Sequence, residues 1–152
     1  MSLKLAQLNL AKMTLPVDHP DMSDFVNNLD RINALADQSA GFVWRYTEED
    51  NTASKAVFGP DMLVNMSVWE RIEDLTNFTY KSPHLAIYKR RKEWFAKMDG
   101  PHMVCWYVEE GHIPSLEEAK ERIAYLEVHG ETPYAFSFRK PFSRQEARSY
   151  HS

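Results

Sequence analysis

The sequence predicts a single α+β domain whose antiparallel sheet carries helices on one face. Some segments alternate apolar and polar residues, as half-buried strands do, and others repeat apolar residues at helical spacing. The two kinds of segment follow one another in the order β-α-β-β-α-β, with an additional helix and strand at the end. That order is the split βαβ pattern of ferredoxin-like domains. A chain of 152 residues is long enough to bury a core of this kind.

The first half of the pattern begins at residues 3–10, which alternate well enough for a strand. Residues 18–21, Asp-His-Pro-Asp, predict a turn that leads into a helix. Along that helix, six apolar residues share one face: Met22, Phe25, Val26, Leu29, Ile32 and Ala36. Gly41 then opens a second predicted strand over residues 42–46, and the polar residues 47–60 predict a loop.

The rest of the chain contains three further predicted strands and three helices. A strand, a short helix, a longer helix and another strand are predicted over residues 62–69, 72–80, 82–98 and 102–108. The capping box of Ser115 and Glu118 predicts the start of a helix that ends at Gly130. A short last strand is predicted over residues 135–138.

The apolar strands also predict a homodimer. A ferredoxin-like sheet covered by helices on one face must bury its other face elsewhere, and a second copy is the simplest cover. The third predicted strand carries large apolar side chains on both faces: Leu63 and Trp69 on one, and Val64, Met66 and Val68 on the other. We expect residues 1–138 to form the single domain and residues 139–152 to be a polar, loose C-terminal tail.

Composition excludes some classes of function. The formal net charge of −4 argues against a general binder of nucleic acids or anionic membranes. No apolar run approaches the roughly 20 residues that span a bilayer, and polar residues interrupt the N-terminal segment where a signal peptide would be apolar. The single cysteine, Cys105, excludes an intrachain disulfide and lies in an apolar run, so we expect a buried, inert thiol. These features favour a cytoplasmic location.

His84 and Arg91 are the first candidate site residues. Ser82 and Pro83 suit the start of the predicted helix over residues 82–98. At about 100° per residue, His84 and Arg91 fall in the same arc as five apolar or aromatic residues: Ile87, Tyr88, Trp94, Phe95 and Met98. A histidine and an arginine in an apolar stripe must be paired, hydrated or functional. The structural alternatives are a hydrogen bond from His84 to a nearby loop and an ion pair between Arg91 and an acidic residue.

Polar residues in the middle of two strands form the second candidate. Gln7, Asn9, Asn65 and Ser67 all have odd numbers, and Trp69 has the same parity in the third strand. In a ferredoxin-like sheet the first and third strands are neighbours at the centre, so these side chains would line one pocket. The alternative is a hydrogen-bonded polar patch at the dimer interface.

Four stretches of the sequence resemble a bacterial family of unknown function that belongs to the dimeric α/β-barrel group. The stretches are residues 64–70, 80–84, 91–95 and 111–114. The group also contains the antibiotic-biosynthesis monooxygenases, and the resemblance extends over about residues 3–139. The Ser-Pro-His helix is also similar, over a shorter stretch, to a segment of the spheroidene monooxygenases, which contain haem. The resemblance therefore implies a dimeric α/β barrel.

The resemblance also implies candidate chemistry. Cofactor-independent members of the larger group use Asn, Trp and Arg to bind an aromatic substrate. If haem is bound instead, His84 would be its axial ligand and Arg91 would bind a propionate. The alternative role for His84 is that of a general base. Haem and the absence of any cofactor both remain open, and no His or Cys spacing typical of a metal site occurs.

We therefore predict a small-molecule-binding protein whose ligand is apolar or aromatic. A monooxygenase-like oxidoreductase is the enzymatic form of this hypothesis, with His84 and Arg91 as catalytic residues. The predicted ligand-binding residues are Asn9, Asn65, Ser67, Trp69, Tyr88 and Trp94. The alternative is a non-catalytic dimeric module that binds a ligand or stabilises an assembly.

Overall fold

Five antiparallel strands form the sheet at the centre of the protein. The computed structural model describes residues 2–16, 18–48, 52–81, 84–98 and 100–150. The strands are β1 (Leu3–Met13), β2 (Phe42–Arg45), β3 (Met62–Trp69), β4 (Phe95–Ala96) and β5 (Met103–Glu109). Their order is β2-β3-β1-β4, with β5 also paired to β1. The α+β class and the ferredoxin-like order predicted from the sequence are confirmed.

Strand β1 lies at the centre of the sheet and sets its register. Against β3, Gln7 pairs with Ser67 and Asn9 pairs with Asn65. Strands β5 and β4 pair with successive parts of the opposite edge of β1. Because side chains alternate along a strand, the odd-numbered residues of these paired strands face one side of the sheet together.

Helices cover both faces of the sheet. The helices are α1 (Ser23–Asp37), α2 (Thr52–Phe58), α3 (Ile72–Lys81), α4 (His84–Lys89), α5 (Leu116–His129) and α6 (Arg144–Ser149). On the odd-numbered face, Ala36 of α1 and Leu75 of α3 pack with Trp69. None of the helices in the described part of the chain has both the length and the apolar character needed to cross a bilayer.

The sequence predicts helices on one face of the sheet only, whereas in the structure helices also pack on the even-numbered face. Buried side chains of β1, β3 and β5 on this face pack with four apolar residues of α5: Leu116, Ala119, Ile123 and Leu126. Val57 and Phe58 of α2 join the same cluster. Since α5 buries this face within one chain, a second copy is not needed as its cover. The homodimer stays a prediction, without the bare face that motivated it.

The predicted single helix over residues 82–98 is also wrong. Helix α4 ends at Lys89, and a short 3-10 turn over Arg91–Glu93 leads directly into β4. The Trp94 carbonyl accepts hydrogen bonds from the backbone N–H of Thr14, at 3.0 Å, and from its hydroxyl, at 3.1 Å. These contacts with the end of β1 replace helical hydrogen bonds. Ser82 and Pro83, which were predicted to begin the helix, lie outside the described residues.

Three other segments differ from the prediction. The polar stretch expected to be a loop contains α2, where Ser54 is buried and donates its hydroxyl to Glu48. The C-terminal segment, expected to be loose, packs on the sheet and ends in α6. Its Phe142 carbonyl accepts a hydrogen bond of 2.7 Å from the Tyr107 hydroxyl. The predicted last strand is reduced to two isolated bridges, one between Cys105 and Phe136 and one between Thr132 and Ala135.

Candidate functional site

A cavity of about 550 Å³ lies over the odd-numbered face of the sheet. Its floor is formed by Gln7, Asn9, Asn65 and Ser67, from the centres of β1 and β3. These residues meet because the antiparallel register places Gln7 opposite Ser67 and Asn9 opposite Asn65. The cavity therefore has a polar floor at a position where a sheet normally presents apolar side chains.

The floor side chains form a continuous hydrogen-bond network. The Gln7 amide donates from Nε2 to Asn65 Oδ1, at 2.8 Å, and to Ser67 Oγ, at 2.7 Å. Trp69 donates its indole N–H to the same Ser67 Oγ at 2.8 Å. Gln7 and Ser67 are each only 4% exposed. The network therefore stabilises two polar side chains that would be costly to bury unpaired.

The walls of the cavity are largely apolar. Helix α3 contributes Leu75, Thr79 and Tyr80, and Met103 begins β5 on the other side. Phe138, from the irregular segment after α5, lies edge-on to Tyr80 with ring centres 5.9 Å apart. Two aromatic rings beside a polar floor suit a ligand that has a flat apolar body and a polar edge.

Charged groups lie at the rim of the cavity. Glu127 and Glu131 come from the C-terminal end of α5 and the residues just after it, while His102 and Arg139 come from neighbouring segments. Glu131 is held in place because its Oε2 accepts the backbone N–H of Ser137 at 2.7 Å and its Oε1 accepts the Ser137 hydroxyl. Among the described lining residues, the rim thus carries two carboxylates and one guanidinium.

Three of the six predicted ligand-binding residues line this cavity: Asn9, Asn65 and Ser67. Trp69 lies beneath the floor, 1% exposed, stacked on Phe78 with ring centres 5.6 Å apart, and reaches the site only through Ser67. Trp94 is buried in a separate cluster with Met22 and Phe25. The side chain of Tyr88 lies outside the described residues.

The sequence predicts that His84 and Arg91 share one face of a single helix, and this prediction is wrong. His84 begins α4, whereas Arg91 begins the 3-10 turn after that helix has ended. Arg91 is exposed and does not line the cavity. The side chain of His84 is outside the described residues, so its predicted catalytic role stays a prediction.

Sequence reasoning missed most of the walls and the rim. Tyr80, Phe138 and His102 are not among the residues that the sequence predicts for a site. Tyr80 belongs to α3, whose Leu75 packs on the odd-numbered face of the sheet. Glu131 and Phe138 follow the last regular helix of the core without a periodic pattern, and no local signal places them at a cavity.

The lining of the cavity does not fit haem. A porphyrin laid on the floor would cover the amides of Asn9 and Asn65 without hydrogen bonding to them, which costs free energy. Glu127 and Glu131 at the rim would repel the propionates, and Arg91, the expected propionate partner, lies outside the lining. Within the described ranges, no group of three His, Cys, Asp or Glu side chains could hold a metal ion.

Cys105 is not a candidate nucleophile for this cavity. Its side chain is fully buried on the odd-numbered face, beside Phe136 and Leu5. Burial raises the pKa of the Cys105 thiol, and the nearby carboxylate of Glu131 raises it further. Because the thiolate is the reactive form, the thiol is inert at neutral pH, as expected from the apolar run around it.

One family model matches nearly the whole chain. It is described as Domain of unknown function (DUF3291) and matches residues 4–152. No curated protein matches the sequence significantly.

Proposed function

We propose that this chain, which belongs to the DUF3291 family, is a small-molecule-binding protein whose cavity takes an aromatic ligand with a polar edge. The polar floor of the cavity is the observation that carries the proposal. Four polar side chains from β1 and β3 converge at the centre of the sheet, over a buried tryptophan. Apolar side chains at these positions would stabilise the fold at no cost in hydrogen bonding, so a polar floor favours a binding role.

The walls support an aromatic ligand. Tyr80 and Phe138 present rings beside the floor, and Tyr80 is 44% exposed although its helix packs on the sheet. An aromatic side chain that lines a cavity and remains accessible can stack on a flat ligand, which contributes about 0.5–1.5 kcal/mol beyond the burial of surface. Met103, on the opposite side, offers a polarisable contact for the same ring.

A monooxygenase-like reaction is the enzymatic form of this proposal, and a non-catalytic ligand-binding module is the alternative. Of the residues predicted for the Asn, Trp and Arg set that the resemblance to antibiotic-biosynthesis monooxygenases implies, only the asparagines Asn9 and Asn65 line the cavity, and the arginine in its described lining is Arg139. Trp69 is sealed beneath the floor and Arg91 lies outside the lining. Binding is therefore better supported than oxidation, and the relation to the monooxygenases stays a prediction.

A thermal-shift screen of bicyclic aromatic compounds, with haem included, tests this proposal. A compound that binds the folded state raises the apparent Tm. The variant Thr79→Phe narrows the cavity at its wall, and Thr76→Phe places the same ring one turn away on α3, outside the lining. We expect compounds that stabilise the wild type and Thr76→Phe but not Thr79→Phe. A screen without a stabilising compound, or one in which all three proteins respond alike, would contradict the proposal.

A further inference from the structure

We infer that the ligand of this cavity presents a neutral hydrogen-bond acceptor, such as an aryl ketone oxygen, to donor groups on the floor. The inference rests on the proposed binding function and specifies the class of ligand. After the floor network has formed, Ser67 and Asn65 still have hydrogen-bond donors that are not used, and the inference follows from these donors.

Ser67 has only its hydroxyl proton left to offer to a ligand. A hydroxyl group has one donor and two acceptor lone pairs. Both lone pairs are used, because Gln7 Nε2 and Trp69 Nε1 each donate to Ser67 Oγ, at 2.7 and 2.8 Å. The indole nitrogen can only donate, so this part of the network has a defined direction. The hydroxyl proton has no acceptor among the described residues, although the side chain is 4% exposed and lines the cavity.

Asn65 supplies further donors beside this hydroxyl. Its Oδ1 accepts from Gln7 Nε2 at 2.8 Å, which leaves the two N–H groups of Nδ2 without a partner among the described residues. Asn65 and Ser67 are two residues apart on β3, so their side chains project from the same face of the strand. Together they offer three donors to one region of the cavity, and a carbonyl oxygen with two lone pairs could accept two of them.

The rim disfavours an anionic acceptor. Glu127 and Glu131 both line the cavity near the C-terminal end of α5, where the helix dipole adds partial negative charge. Arg139 is the one guanidinium among the described lining residues. A carboxylate ligand would therefore meet repulsion at the rim, whereas a ketone oxygen carries no net charge. The free donors of Ser67 and Asn65 and the acidic rim together favour a neutral carbonyl over a carboxylate.

Four matched probes test the inference: indanone, indane, aminoindane and indane carboxylate. They share one bicyclic framework and differ in the acceptor, the donor and the charge. We expect wild-type protein to bind indanone about tenfold more tightly than indane, since one hydrogen bond of about 1.4 kcal/mol corresponds to that factor. Indane carboxylate should bind more weakly than indanone. Affinities are measured by protein-observed NMR titration.

The variant Asn65→Asp identifies the donor. It keeps the oxygen that accepts from Gln7 and replaces the Nδ2 donors by a second acceptor oxygen. We expect it to lose the preference for indanone over indane and to gain affinity for aminoindane. The control is Asn77→Asp on α3, which makes the same change outside this cavity and should bind all probes as the wild type does.

The outcomes separate the inference from the proposed function. If probes bind in the cavity but indanone is not preferred, or Asn65→Asp leaves the preference intact, the inference is wrong and the binding function stands. If none of the four probes binds, the proposed function fails together with the inference.

Discussion

The indole N–H of Trp69 donates to Ser67 Oγ at 2.8 Å, two residues earlier on the same strand and face. This bond joins the aromatic core on the odd-numbered face to the polar floor of the cavity. On one side Trp69 packs edge-on to Phe42, with ring centres 5.4 Å apart, and on the other Ser67 accepts from Gln7. Core packing therefore holds the floor side chains in position before any ligand arrives.

The first prediction concerns the coupling between Ser67 and Trp69. Ser67→Ala removes the acceptor of a buried indole N–H and should lower the free energy of unfolding by about 1–3 kcal/mol. Trp69→Phe keeps much of the aromatic packing and removes the donor. In the Trp69→Phe background, Ser67→Ala should lower the free energy of unfolding by less than it does in the wild type. Urea denaturation of the wild type, both single variants and the double variant measures this coupling. If the losses in free energy of unfolding from the two single variants add up in the double variant, the hydrogen bond between Trp69 and Ser67 does not contribute to stability.

The second prediction concerns Gly41, which precedes β2 at a φ of +84°. A Cβ atom there would lie 2.1 Å from Asp74 Oδ2, a carboxylate on the adjoining helix α3. We expect Gly41→Ala to destabilise the protein by both the backbone strain, about 1–3 kcal/mol, and the clash. Gly111→Ala is the control, because its φ is +89° and nothing lies within 4 Å of the added atom. If Gly41→Ala and Gly111→Ala lower the Tm equally in thermal denaturation, the close approach of α3 has no role in the loss of stability.

The third prediction concerns the carboxylate of Glu93. Hydrogen bonds from Arg90 lower the pKa of Glu93 below its ordinary value of 4.5, against the opposing effect of burial. A lowered carboxylate pKa contributes stability above the unfolded value, and this contribution is lost as the pH falls through the folded value. We expect Arg90→Gln to raise the pKa of Glu93 toward 4.5, as measured by NMR titration. Lys92→Gln, an exposed neighbour, should leave the pKa unchanged, and an equal shift in both variants would contradict the pairing.

Arg90 also shows why the long helix could not be predicted from the sequence. Its guanidinium lies 4.7 Å from the ring centre of Trp94 and bonds Asp24 at 2.9 Å. Phe25 of α1 contacts the same indole, with ring centres 5.4 Å apart. The helical spacing of aromatic residues in this segment is real, but contacts with residues about 70 positions away in sequence end the helix.

The sheet and its polar floor could be predicted because their signals are local. The bounds of β3 agree with the predicted strand over residues 62–69, and Ser115 caps α5 by accepting the backbone N–H of Glu118 at 3.0 Å. Strand parity then places Asn65 and Ser67 on one face. Phe138 and Glu131 come from irregular segments whose positions depend on long-range packing, so the wall and rim that they form have no sequence signature.

The homodimer was predicted because one face of the sheet was expected to be bare. Since the even-numbered face is covered by α5, that reason no longer applies, and the homodimer stays a prediction. Light scattering at micromolar concentration tests it directly. A dimer would show that some other surface associates, because α5 already buries this face. A monomer would agree with a chain whose sheet is covered on both sides and would remove the expectation of a dimeric barrel.

We expect an aromatic ligand to bind over the floor formed by β1 and β3. The indole N–H signals of the four tryptophans in a ¹H–¹⁵N spectrum report on this binding. Titration with indanone should shift the Trp69 signal, because its proton is bonded to Ser67 on the cavity floor. The Trp94 signal, from the separate cluster with Met22 and Phe25, should not move. A shift of Trp94 without a shift of Trp69 would place the ligand near the 3-10 turn instead and would contradict the account.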